Sequence, residues 1–125
     1  RYATMAEALE RMREANPRLS DEQIEHLTTH AVARNEDGTW SWKFDPYLHI
    51  WPVVDFPQAA IHQLWEAVTC PVMLFYGRDS WATSPATDGR LAHFQNARLA
   101  EYDGAGHWLH HDRFEQFVTD LRGFL

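Results

Sequence analysis

The chain has 125 residues, 45% of them hydrophobic and 14% aromatic, which is enough apolar material for a real core and excludes a disordered tail. Its 18 acidic and 11 basic residues give a formal charge of −7, which repels phosphate backbones and anionic lipid surfaces and excludes a basic nucleic-acid patch. Cys70 is the only cysteine, so no intrachain disulfide forms, no stretch is long and apolar enough to span a bilayer, and "RYATMAEALE" lacks the layout of a signal peptide. A soluble, cytoplasmic protein acting on a small molecule is the expectation, without nucleic-acid or membrane partners. The first residue is Arg1 rather than Met, from which a beginning partway through a longer reading frame is expected.

Met5, Leu9 and Met12 form an apolar stripe in a first helix that ends before "NPRLS". "SDEQIEHLTTHAV" opens a second, with Ser20 and Gln23 at capping-box spacing and Ile24, Leu27 and Ala31 on one face. "DGTWSWKFDPYLHIWPVVDFP" is dense in Trp, Phe and Pro and reads as an ordered aromatic-rich loop. From Pro57 the pattern is that of an α/β protein. "PQAAIHQLWEAV" makes a helix with Pro57 in its first turn, and Val72 to Tyr76 are consecutive apolar residues that suit a central parallel strand covered on both faces. "ATDGRLAHFQN" reads as a short helix and "ARLAEYD" as a strand of mixed polarity nearer a sheet edge. Phe114, Phe117, Val118, Leu121 and Leu125 line one face of a terminal helix that Asp112 or Glu115 would cap.

Two parallel strands joined by a crossover end at the same edge of the sheet. The loop after "VMLFYG" carries Arg78, Asp79 and Ser80, and the loop after "RLAEYD" carries His107. On strands ~5 Å apart an aspartate and a histidine so placed can hydrogen-bond, the carboxylate fixing the tautomer and stabilising the imidazolium. Ligands of open α/β sheets bind at this carboxyl edge. Such a pair is two thirds of a nucleophile, base and acid triad.

Here the sequence resembles the α/β-hydrolase superfamily, in particular its lid-bearing members. The likeness rests on "CPVMLFYGRDSW", on "AEYDGAGHWLHHD", on the Phe-rich terminal helix and, less specifically, on "DGTWSWKFDPYL" as the end of a lid. It implies the C-terminal portion of an α/β-hydrolase fold, two parallel strands with flanking helices over residues 57–125, preceded by a helical lid over residues 1–56. By position His107 matches the family's histidine and Asp79 is the nearest match to its acid. The usual acid loop reads G-x-x-D, whereas Gly77 is followed by Arg78, Asp79 and Ser80, so the acid is one residue early or lies elsewhere. Ser20, Ser41, Ser80 and Ser84 are the only serines and none sits in a G-x-S-x-G elbow. The resemblance therefore places the nucleophile upstream of Arg1, and makes the N-terminal part of the same protein the partner of this stretch.

Trp81 and Trp108 flank the two loops and are candidate walls of a substrate pocket. Trp40, Trp42, Phe44 and Trp51 either line an apolar pocket or pin the loop that bears them. His107, His110 and His111 are not expected to share a metal, because two glycines set His107 in a loop and tandem histidines point apart; no cofactor is implied. The expected chemistry is hydrolysis of a small, largely apolar ester. The alternatives are epoxide or halide hydrolysis by an aspartate nucleophile on the same scaffold, and a module that binds a ligand or partner without chemistry.

Overall fold

A computed structural model describes residues 1–50 and 56–125. Trp51 lies outside the described residues. Two compact units make up the chain, Arg1–Val53 and Val54–Leu125.

In the first unit, α1 (Met5–Ala15) and α2 (Asp21–Ala31) pack together and bury Ala8, Ile24 and Thr28. The capping box forms as the spacing predicts: the Gln23 amide donates to Ser20 Oγ at 3.2 Å and the Ser20 amide to Gln23 Oε1 at 2.8 Å. The segment read as an aromatic loop is in part a strand. Trp40–Trp42 (β2) pairs antiparallel with Val32–Arg34 (β1), in register Val32 with Trp42 and Arg34 with Trp40. Thr39 closes the turn, its amide donating to Asp37 Oδ1 at 3.0 Å and its hydroxyl accepting from Asn35 Nδ2 at 2.9 Å. Three-residue strands are too short to show the alternation by which a strand is read. A 3-10 turn follows over Pro46–His49.

In the second unit, α3 (Gln58–Glu66) leads to β3 (Val72–Gly77), which pairs in parallel with β4 (Ala97–Tyr102), Val72 opposite Ala97 and Gly77 opposite Tyr102. Among the described residues β3 has no strand on its other edge. The segment between the strands was expected to be helical and holds only a 3-10 turn, Arg90–His93. Gly89 sits at φ 86, a left-handed conformation that interrupts a helix before it can grow.

A short turn of helix, α4 (Leu109–Asp112), precedes α5 (Phe114–Phe124). Neither Asp112 nor Glu115 caps α5 through its side chain. The Asp112 carboxylate instead accepts from the Gly106 amide at 2.6 Å, bracing the loop that carries His107. Tyr102, Ala105 and Leu109 are buried, with Phe75, Ala100 and Phe117 packed on them and the Phe75 and Phe117 rings 5.0 Å apart. Phe117, Val118 and Leu121 are half-buried as the stripe predicts, but Phe114 and Leu125 are exposed.

The Tyr102 hydroxyl donates to Asp120 Oδ2 at 2.6 Å, tying β4 to α5. Burial, with the Asp120 carboxylate behind it, pushes the phenol well above its ordinary range. Tyr102→Phe leaves that carboxylate without its phenol donor. A loss of about 2 kcal/mol is expected for a bond to a charged acceptor, readable as a lowered urea midpoint at unchanged slope.

Candidate active site

Both chemistry-bearing loops leave the carboxyl ends of β3 and β4, and the backbone locks them together. The Arg78 amide donates to Tyr102 O at 3.0 Å, the Asp79 amide to Ala105 O at 2.9 Å, and the Ser80 amide closes a turn on Gly77 O at 3.0 Å. The approach is so close that a Cβ on Gly77 would stand 2.1 Å from Gly106 O and 2.4 Å from Ala105 O. Only glycine fits there. Gly104, at φ 66, turns the chain away from β4 just before His107.

Arg78 spans the strand ends, with NH1 2.8 Å from Asp103 Oδ1 and NH2 3.2 Å from Glu101 Oε2. The hydrogen bond to Glu101, then Asp103, raises its pKa further, but water screens so exposed a pair and its stabilisation is small. Glu101 also accepts from Ser84 Oγ at 3.2 Å.

His107 is exposed and held on several sides. Its Nδ1 lies 3.0 Å from Ser80 Oγ, which also accepts the Ala82 amide at 3.0 Å. The Trp81 ring lies 4.3 Å from the imidazole at 33°, and Trp108 stands edge-on at 5.1 Å. Trp81 is 83% and Trp108 57% exposed, so both present large apolar faces beside a polar ring. A cleft of about 100 Å³ opens between Ser80, His107, Tyr76, Thr83, Arg90 and Leu109. The Arg90 guanidinium is tied to Asp88 Oδ2 at 2.7 Å and Thr83 O at 2.5 Å.

Of the residues singled out from the sequence, His107, Trp81 and Trp108 come together, with Asp79 on the same turn as Ser80. Trp40 and Trp42 belong to the hairpin of the first unit, where Trp42 Nε1 donates to Tyr2 Oη at 3.0 Å and Trp40 exchanges two 2.8 Å backbone bonds with Tyr2. His110 packs on Trp108 and Phe117, and His111 is pushed toward its neutral form by burial first and then by His110, against the pull of Asp112. Among the described residues no three His, Cys, Asp or Glu side chains are arranged to hold a metal, and no helix is long and apolar enough to cross a membrane.

Sequence reasoning missed Ser80 as the neighbour of Nδ1. The G-x-x-D count from Gly77 lands on it, so the signal was present in the spacing and hidden by the residue type.

No family model matches the sequence. The chain is 27% identical over 120 residues to the sn-1-specific diacylglycerol lipase ABHD11 of Xenopus laevis, covering 86% of this chain and 37% of that protein. Among solved structures it is similar to the thioesterase domain of the curacin biosynthetic pathway, with a TM-score of 0.79 at 22% identity over 95% of this chain and 43% of that one. It is similar also to a Mycobacterium tuberculosis esterase, with a TM-score of 0.81 at 18% identity over 98% and 41%. The chain thus spans well under half the length of the proteins it matches. With a parallel strand pair, a helix closing the sheet and a histidine loop at the carboxyl edge, it has the C-terminal part of the α/β-hydrolase fold.

Proposed function

We propose that this chain supplies the histidine end of an ester hydrolase whose nucleophile lies upstream of Arg1. The observation that carries the reading is an exposed imidazole at the carboxyl edge of two parallel strands, approached through Nδ1 by the loop of the neighbouring strand. With Nδ1 engaged, Nε2 is the nitrogen that serves as general base. It takes the proton of the nucleophile as that atom bonds the acyl carbon, then delivers it to the departing alcohol oxygen. Water, deprotonated by the same nitrogen, releases the acid. Asp79 is the proposed carboxylate of this machinery, backbone amides outside this stretch form the oxyanion hole, and residues 1–56 act as the lid.

Trp81 and Trp108 are the proposed apolar walls for the acyl chain, and a small, largely apolar ester is the substrate class. The names of the relatives, a diacylglycerol lipase, a thioesterase and an esterase, support acyl transfer to water. A cytoplasmic location accords with the exposed free thiol of Cys70.

The test is turnover by the full-length protein of a series of chromogenic acyl esters, beside an epoxide and a haloalkane of matched size. Ester cleavage with a burst of alcohol release, fastest for apolar acyl groups, is expected. Turnover of the epoxide or haloalkane alone would replace the ester reading with an aspartate-nucleophile mechanism, and no turnover at all would leave the binding module as the better account.

A further inference from the structure

We infer that Ser80 is a positioning residue for His107, holding the imidazole by a hydrogen bond at Nδ1; this rests on the reading of His107 as the general base. A hydroxyl has one proton to donate and two lone pairs. The Ala82 amide, 3.0 Å away, occupies one lone pair of Ser80 Oγ and so fixes the hydroxyl on its turn. The turn itself is closed by the Ser80 amide on Gly77 O at 3.0 Å.

His107 Nδ1, also at 3.0 Å, meets what remains of that oxygen's capacity. A neutral imidazole able to accept a proton at Nε2 must carry its hydrogen on Nδ1. That N–H donates to the second lone pair of Ser80. Both lone pairs are then filled, one by the Ala82 amide and one by the ring.

When Nε2 takes up the proton of the nucleophile, the Nδ1–H to Ser80 bond stays as it was and the ring has no cause to turn. Trp81 lies tilted against the ring at 4.3 Å and supports the same orientation. A serine nevertheless differs from an aspartate at this place. It can also donate to a bare Nδ1, which supports the tautomer whose Nε2 is already protonated and cannot act as base. In the tautomer that can act as base, Ser80 is therefore the acceptor of Nδ1–H.

The experiment compares full-length wild type, Ser80→Ala and Ser80→Thr by ring nitrogen NMR of His107, together with ester kinetics. Wild type is expected to show the Nδ1–H tautomer. Ser80→Ala should move the ring toward the Nε2–H tautomer and lower kcat about tenfold with KM little changed, the loss expected for one neutral hydrogen bond. Ser80→Thr, which keeps the hydroxyl, should restore both. An unchanged tautomer in Ser80→Ala, or a loss that threonine does not restore, would overturn the proposal. The tautomer is read without turnover, so absence of esterase activity with a Ser80-dependent tautomer would sink the ester reading alone.

Discussion

Gly77→Ala is expected to cost the protein about 3 kcal/mol or more of stability, at the upper end of what overpacking does, and to remove most of its activity as well. The new Cβ would meet Gly106 O at 2.1 Å and Ala105 O at 2.4 Å. Both are backbone atoms, so no side chain can swing aside. Relief requires the histidine loop to retreat from the end of β3 by about 1 Å, toward ordinary van der Waals separation. That loop is held by the Arg78 amide on Tyr102 O and the Asp79 amide on Ala105 O, so retreat stretches the bonds that bring Ser80 to His107. A shift of that size in a catalytic group costs about a hundredfold in rate. The control is Gly123→Ala. Gly123 lies in α5 with open space around its would-be Cβ, so alanine there should be neutral or slightly stabilising by helix propensity. Urea unfolding of both variants separates the cases, and a Gly77→Ala protein as stable as wild type would show that the loops are not in close contact.

What the sequence made legible follows from how local each signal is. The capping box of α2, the apolar run of β3 and the stripe of α5 are each written in a few neighbouring residues, and each element forms over those residues. The parallel pairing of β3 with β4 followed from chain order, because a crossover returns the chain to the same edge. Three features were not legible, each for a physical reason. The hairpin of β1 and β2 is set by pairing across the turn and by Tyr2, far away in sequence, and not by alternation within three residues. Asp112 looked like a cap because it precedes a helix, yet its carboxylate serves Gly106, which only the folded loop brings near. Ser80 looked like an unremarkable serine because the motif at its position expects an acid. The spacing of the motif specified where a partner of Nδ1 stands, and the residue type had to be read from the structure.

In the full-length protein, His107→Ala is expected to reduce kcat for ester turnover by about a thousandfold or more, the scale on which a general base contributes, with little change in KM. The ring is exposed, lies beside Trp81, Trp108 and Ser80, and is not part of the buried group of Tyr102, Ala105 and Leu109. Removing it should therefore leave the unfolding midpoint close to wild type. The comparator is His110→Ala. His110 packs against Trp108 and Phe117 with ring centroids 6.3 and 6.0 Å apart, so its loss should cost packing and leave kcat within a few-fold of wild type. The two substitutions thus divide oppositely between rate and stability, which a general loss of fold cannot imitate. Added imidazole supplies the second check. A free base small enough to enter the space left by the His107 side chain should recover part of the activity of His107→Ala, in proportion to its unprotonated fraction, and should do nothing for Gly77→Ala, where the base is present but displaced. Retention of more than about a tenth of wild-type kcat by His107→Ala would be incompatible with an essential base and would return His107 to the role of a loop residue between two tryptophans.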